Sequence, residues 1–378
     1  MTRRFQFNQT GYRTGLALSL LTALCMQMGG TFAASDTLGL PPVPIPQDNP
    51  QTPAKIALGK RLFHDQRLSA DGKVSCATCH QAEKAFTDGL PLAQGIHKQS
   101  GTRNTPSLLN VAYLTSLFWD GRQTSLEAQA KEPLLHPREH GLKDSQALLQ
   151  RIRSDQQYVA AFNRAFGVPS AGIAIAHLSQ ALAAFERTLI LGDSPFDRYY
   201  FAGDQKALSP AAQQGLALFQ GRAQCATCHT LDKTSALFTD QQFHSLAIGL
   251  KKIEPRIVEL TTRVAHAPQA KREQLVLEDA NYAELGRFLV TQNPADIGKF
   301  KTPSLRNVGL TAPYMHDGSI ATLAEAVDFE VYYRGLSQNR PLILTPQEKL
   351  DLIDFLKSLT SPVRYGKQSP VGFSNTLY

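Results

Sequence analysis

Residues 76–80 read Cys76-Ala77-Thr78-Cys79-His80, and the same five residues return as Cys225-Ala226-Thr227-Cys228-His229. A C-x-x-C-H run is the attachment signature of c-type haem. Two thiols at that spacing can add to the two vinyl groups of one porphyrin, and the adjoining imidazole is held where it can take an axial position on the iron. The rival readings are a structural zinc and a redox dithiol. A Cys2His set lacks the fourth ligand a structural zinc needs, and no further C-x-x-C stands near either copy. A thioredoxin-like dithiol leaves the His after the second Cys unexplained in both copies. The pattern points to two covalent haems, with iron at His80 and His229.

The sequence around each motif repeats as well. Thr52-Pro53 signals a helix start, Thr as cap and Pro in the first turn, with Ile56, Gly59, Leu62 and Phe63 at helical spacing. Ser209-Pro210 opens a matching helix with Gly215, Leu218 and Phe219. After each motif, TPSLLNVAYLTSLFWDGRQTSLEAQA (105–130) aligns without a gap on TPSLRNVGLTAPYMHDGSIATLAEAV (302–327), and nine of the 26 positions are identical. Such self-similarity points to a duplicated unit. The expected fold is mainly α, two tandem cytochrome c-like haem domains related by internal duplication. Residues 34–165 form the N-terminal domain, 166–204 a connecting helix and linker, and 205–378 the C-terminal domain. Ile173 to Leu191 reads as one apolar helix, ended by Gly192-Asp193-Ser194-Pro195. Thr345-Pro346-Gln347-Glu348 is a capping box for a final helix that Pro362 stops.

Residues 1–33 read as an export signal. Arg3, Arg4 and Arg13 make a basic start, residues 15–24 an apolar core, and Thr31-Phe32-Ala33 a cleavage site. The core is short for a membrane span, so the mature chain is expected in the periplasm. Losing the leader removes three Arg and no acid, so the formal charge of +7 falls to +4. Four haem propionates would cancel most of that, and no basic run supports nucleic-acid binding. All four remaining cysteines belong to the two motifs, which leaves none for a disulfide.

The halves differ in their polar residues. Trp119-Asp120-Gly121-Arg122 leads to Gln129, then to Glu139 within His136-Pro137-Arg138-Glu139-His140. The matching places in the second half are His316, Ala326 and Leu336. An amide and a carboxylate after the first motif alone suit a reactive face at the first haem, because peroxide cleavage needs a group that moves a proton between its oxygens. Spacing by itself is served better by ordinary solvated residues.

The chain resembles the bacterial diheme cytochrome c peroxidase and MauG-type family over essentially its whole mature length. The carrying residues are the two CATCH motifs, Arg103-Asn104-Thr105-Pro106, Leu117-Phe118-Trp119-Asp120-Gly121-Arg122, Ser125-Leu126-Glu127-Ala128-Gln129 and Leu310-Thr311-Ala312-Pro313-Tyr314-Met315-His316-Asp317-Gly318. The resemblance implies a peroxidatic first haem on His80, with Glu139 as acid–base carboxylate and Gln129 beside it. It implies that Trp119 lies between the haems and that the haem on His229 transfers electrons. Asn104, Thr311 and Pro313 fall on positions that hold a calcium ion. Glu127 and Glu132 are expected to be dispensable.

Three places depart from the family pattern. The peroxidase branch carries a Met ligand for the second iron fourteen residues after the His of the Pro-Tyr-x-His-Asp-Gly motif, where this chain has Glu330. The MauG branch carries a Tyr there. Tyr332 is favoured over Glu330 as an oxygen ligand, and Met315 is expected to point elsewhere. His97 sits one residue off the spacing of a loop His that blocks the first iron at rest in part of the family, so it is a candidate ligand. His244 has no assigned role.

Three functions are open. The first is a periplasmic peroxidase that reduces hydrogen peroxide at the first haem, with electrons relayed through the second from a cytochrome c or a copper protein. The second is a MauG-like enzyme that turns peroxide against side chains of a partner protein, which the missing Met favours because an oxygen ligand lowers the haem potential. The third is a non-catalytic electron carrier, which Gln129 and Glu139 argue against. A homodimer is compatible with each.

Overall fold

The computed structural model describes residues 37–337 and 341–362. The expected export signal and the end of the chain after Pro362 lie outside the described residues. The first half opens on α1 (Pro53–His64), where the Thr52 side chain accepts from the Lys55 amide at 3.3 Å and Pro53 fills the first turn. α2 (Leu126–Ala130), α3 (Ser145–Ser154), α4 (Gln156–Phe166) and α5 (Ile175–Glu186) follow. The second half holds α6 (Pro210–Gln220), capped by Ser209, then α7 (Ile257–His266) and α8 (Gln269–Glu278). It closes with α9 (Leu323–Ser337) and α10 (Pro346–Ser358), the latter opened by the expected Thr345–Glu348 capping box. Among the described residues the strands are one antiparallel pair, β1 (Phe243–His244) and β2 (Phe300–Lys301), with Phe243 opposite Lys301. The chain is mainly α.

Each half is built on a close helix crossing. A Cβ at Gly59 of α1 would sit 1.9 Å from the Ala181 carbonyl oxygen of α5, and one at Gly215 of α6 would sit 2.0 Å from that of Asp351 in α10. Only glycine permits backbones to approach this closely. Around the first crossing Leu58, Leu62 and Phe63 bury against Leu182 and Phe185; around the second Phe219 meets Phe238 and Phe355. Each such side chain contributes roughly 1.5–3 kcal/mol on burial. The stretch expected as a connector is divided between the cores: α5 is a wall of the first, while Phe196, Tyr199 and Tyr200 pack in the second.

That helix stops at Glu186, before the apolar run ends. Asn110 explains the early stop. Its side chain accepts from the Leu191 amide and donates to the Leu191 carbonyl, both at 2.9 Å, while its own amide donates to Leu189 at 2.8 Å. Asn307 handles the chain after α10 in the same way, its amide on the Leu359 carbonyl and its Oδ1 accepting from Ser361. Both asparagines take the left-handed backbone conformation, at φ 61° and 60°. The Asn-Val pair in the repeat thus has a mechanical job in each half.

A third core was not anticipated. Leu260, Val264 and Leu275 of α7 and α8 pack on Ile253, Tyr282, Leu285 and Phe288. This unit is inserted between the second Cys motif and β2. No helix among the described residues is long and apolar enough to cross a membrane.

Candidate functional site

The two motif histidines are held alike. His80 Nδ1 lies 2.9 Å from the Phe86 carbonyl oxygen, and His229 Nδ1 lies 3.0 Å from that of Phe238. A carbonyl only accepts, so Nδ1 carries the proton and Nε2 presents its lone pair, the tautomer and orientation of a metal-ligating imidazole. Burial lowers the pKa of both rings and so favours the neutral form. The same burial pushes the thiols of Cys76, Cys79 and Cys225 up, the reverse of what a redox-active dithiol needs.

One continuous cavity of about 660 Å³ runs from Cys79 and His80 to Cys225, Cys228 and His229. Leu109, Leu114 and Leu117 wall it on one side, Leu305, Val327 and Val331 on the other. Arg103, Lys301 and Arg334 bring cations into the same wall. Thiol pairs beside lone-pair imidazoles, apolar flanks and cations suited to propionates are the donor chemistry of covalent haem, and the residues fit two of them.

Gln129, near the end of α2, and Glu139 both line the cavity on the His80 side. Pro137 keeps the 136–141 segment out of a helix, and the Glu139 carbonyl accepts the Ile96 amide at 2.9 Å, which fixes the loop. The Glu139 side chain is 38 % exposed, and that exposure is onto the cavity. Burial raises its carboxyl above the ordinary carboxylate range, with His136 and Arg122 pulling the other way. At the matching place to Gln129, Ala326 lines the second half.

Glu127 and Glu132 are not the dispensable surface carboxylates expected. Glu127 accepts two bonds from buried Arg187, at 2.7 and 2.9 Å, and one from Asn49 at 2.7 Å. Glu132 lines the cavity, takes the Arg122 Nε–H at 2.9 Å and is hydrogen-bonded by Gln123. The Arg122 guanidinium in turn covers the Phe118 ring at 3.4 Å.

Trp119 lines the cavity and donates its Nε1–H to the Asn104 carbonyl at 2.9 Å. The Asn104 amide donates to the His316 carbonyl, also at 2.9 Å. Asn104, Thr311 and Pro313 all face the cavity, and the Asn104 side-chain Nδ2 donates to the Leu90 carbonyl. These residues offer oxygen donors of the kind calcium takes.

The candidate sixth ligands separate sharply. Leu323, Val327, Glu330, Val331 and Arg334 of α9 face the cavity, at the three- and four-residue steps of one helix face. Tyr332 falls on the other side, 61 % exposed, and so loses its place to Glu330. Met315, in left-handed backbone at φ 75°, lines the cavity and does not point elsewhere. The adjoining His316 is buried, stacked on Phe300 and 2.8 Å from Glu284. His97 also leaves the ligand set in this conformation. Ile96 takes the interior position and His97 turns outward, 66 % exposed and 3.9 Å from Asp71. His244 pairs with Asp240 at 2.7 Å; Cys228, the third member of that cluster, is a haem-motif thiol.

Several residues at the site had no sequence signal of their own. His136 stands between Glu139 and Glu273, the latter on the inserted α8. Lys301 is buried, donates to the Ser116 carbonyl at 2.9 Å and has its pKa pushed down to about 8 by burial. Away from the cavity lining, Glu186 at the end of α5 is buried with Oε2 unpartnered, and burial pushes its carboxyl up to about 8.

The family description "Di-haem cytochrome c peroxidase" matches residues 53–206. Cytochrome-c peroxidase IdrP1 of Denitromonas iodatirespirans is 39% identical over 85% of this chain and 85% of its own length. The methylamine utilization protein MauG of Methylorubrum extorquens is 38% identical over 84% of this chain and 81% of its own. Among solved structures, a MauG-like protein associated with microbial copper homeostasis superposes with a TM-score of 0.72 at 33% identity, covering 92% of this chain and 99% of that one.

Proposed function

The chain belongs to the di-haem cytochrome c peroxidase and MauG family, and we propose that it is a periplasmic enzyme that reduces hydrogen peroxide at the first half, on the side of His80. As a member of that family it is a haem-dependent oxidoreductase. Cys76 and Cys79 would hold one haem and Cys225 and Cys228 the other, with His80 and His229 as ligands to iron. The chemistry a haem would supply at the first half is the delivery of the electrons that split peroxide.

The protein's own part is positioning and proton transfer. The observation that carries the reading is Glu139, a carboxyl raised by burial, beside Gln129 on the His80 wall of the cavity. Glu139 takes a proton from the nearer peroxide oxygen and returns it to the departing one. The Gln129 amide orients the peroxide but holds no proton to exchange. Trp119 lies on the route by which electrons pass from the second half. The export signal read at residues 1–33 supports a periplasmic location. The shared Gly crossings, Asn clamps and Phe-carbonyl bonds support descent from an internal duplication. Asn104, Thr311 and Pro313 are proposed to hold calcium, which elemental analysis of the purified protein tests.

Glu330 on the cavity face of α9 favours a second reading, a MauG-like oxidation of a partner protein, since an oxygen ligand makes the second haem a poor acceptor from a cytochrome. A steady-state peroxide assay with reduced cytochrome c separates the two: turnover supports the peroxidase, and peroxide consumption without cytochrome turnover supports the other. Glu139→Gln tests the shared core. It should keep both haems and slow peroxide reaction by about 10²–10⁴-fold, against exposed Glu83 as control. Wild-type rates in Glu139→Gln would remove the proposal.

A further inference from the structure

We propose that His136 and Glu273 form a proton path joining Glu139 to bulk solvent. The inference rests on the reading of Glu139 as the proton-moving carboxylate. His136 stands between two carboxylates, with Nδ1 3.4 Å from Glu139 Oε1 and Nε2 3.9 Å from Glu273 Oε1. Each gap is within about an ångström of hydrogen-bond contact. The His136 ring, 16 % exposed, is the least accessible member, set between a Glu139 side chain 38 % exposed on the cavity and a Glu273 side chain 54 % exposed.

His136 Nδ1 is buried and has no hydrogen-bond partner. Leaving such an atom unsatisfied carries a desolvation cost that an apolar residue at this position would not have. The ring's place is fixed by backbone. The His136 amide donates to Glu132, and its carbonyl accepts from Glu139 at 3.1 Å and Gly141 at 2.9 Å. Glu273 arrives on α8, so the inserted helical unit supplies the outer end of the path. The charged groups around the pair are Glu132 and Arg122 on the inner side and Arg138 and Arg272 on the wall. Both wall arginines donate to carbonyls, Arg138 to Leu277 and Arg272 to Leu289, and leave the carboxylates to the imidazole.

Peroxide reduction creates the need. Turning one hydrogen peroxide into two waters consumes two electrons, drawn from the cytochrome or copper donor, and two protons. Glu139 can move a proton between the peroxide oxygens but cannot make up the two that are consumed. Along the path, Glu139 gives its proton to the departing oxygen. His136 Nε2 takes a proton from Glu273, which refills from water, and the imidazolium so formed releases its Nδ1–H to Glu139 and returns to a neutral ring. Each hop breaks one O–H or N–H bond as the next forms, nothing is oxidised or reduced, and a turn of the ring restores the starting tautomer. Imidazole suits the middle position because its two ring nitrogens can take up a proton on one side and release one on the other.

The test compares His136→Asn, Glu273→Gln and Glu139→Gln as holoenzymes, using hydrogen peroxide and reduced cytochrome c across pH in light and heavy water. His136→Asn should lower kcat by at least about 10-fold, leave kcat/KM for peroxide nearly unchanged and enlarge the solvent isotope effect. Added imidazole should restore part of the loss. Without peroxide, the infrared carboxyl band of Glu139 should titrate at a different pH in the same variant. Glu273→Gln, at an exposed position, should show a smaller loss confined to high pH. Wild-type kcat and pH profile in His136→Asn or in Glu273→Gln, with Glu139→Gln impaired, would overturn the path and spare the acid–base role. Wild-type kinetics in Glu139→Gln would instead overturn the reading beneath it.

Discussion

The backbone N–H of Lys301 donates to the carbonyl of Trp119 at 2.9 Å, and the relation is reciprocated across the two halves. Asn104, which aligns with Lys301 just before each Thr-Pro-Ser-Leu, donates to His316, which aligns with Trp119. The Trp119 indole closes the loop on the Asn104 carbonyl. Each half therefore grips the other at the residue lining the passage between them. These bonds fix Trp119 relative to both ends of the cavity, as the proposed passage of electrons between them would require.

Trp119→Phe follows directly. Phenylalanine keeps the ring's bulk and the backbone bond from Lys301 but loses the indole N–H. Both haems should remain, while single-turnover electron transfer from the second to the first slows measurably. Unchanged transfer would return Trp119 to an ordinary packing role.

Haem content gives a second outcome. Cys225→Ser with Cys228→Ser should leave one covalent haem, retained after denaturation, because the first Cys pair stands in its own half with its own core. The readout is haem stain against protein mass. Metal analysis that found zinc, or haem extracted by acid solvent from the parent protein, would undo the reading of both motifs.

Glu186 makes stability depend on pH in a stated direction. Its carboxyl is pushed from an ordinary 4.5 up to about 8 by burial, with Arg187 opposing and Glu127 adding. Between those values the folded chain keeps a proton that the unfolded chain has released, so stability falls as pH rises and levels off above the upper value. Glu186→Gln removes this dependence. The variant should match the parent near pH 4 and exceed it at alkaline pH by an amount on the order of a few kcal/mol, read as denaturant midpoints across pH. A constant difference between the two proteins would show that Glu186 titrates normally.

The paired Cys-His motifs, the caps and the mainly helical class were legible because they rest on local signals. Thr52, Ser209 and Thr345 each cap the helix their sequence announces. The errors come from facing, which short spacing arguments cannot set. His97 was one residue from the interior, and Ile96, being apolar, took the inward place. The inserted unit was illegible for another reason. It has no partner in the other half to expose it as a repeat, so Glu273 came without warning. His136 lay inside the stretch that marked Glu139, but its significance depends on α8, which is distant in sequence.

Glu330 and Tyr332 supply the last test, and helix phase decides it. Two residues along an α-helix turn the side chain by roughly 200°, so the two cannot both face the cavity. The cavity face of α9 holds Val327, Glu330, Val331 and Arg334, and the Glu330 carboxylate lies 3.6 Å from Arg334 on that face. Tyr332 lies outside, in edge contact with Tyr333. Changing the residue that faces the second iron should move that haem's optical and magnetic spectra; changing an outward residue should not. Glu330→Gln is therefore expected to shift the spectrum of the haem on His229 and raise its potential, while Tyr332→Phe leaves both as in the parent. Met315→Leu distinguishes the remaining cavity-facing ligand, since a thioether bound to iron would be lost and the potential would fall. A spectral change in Tyr332→Phe with none in Glu330→Gln would mean that α9 rotates by about half a turn when haem binds, and that the outward tyrosine is the ligand after all.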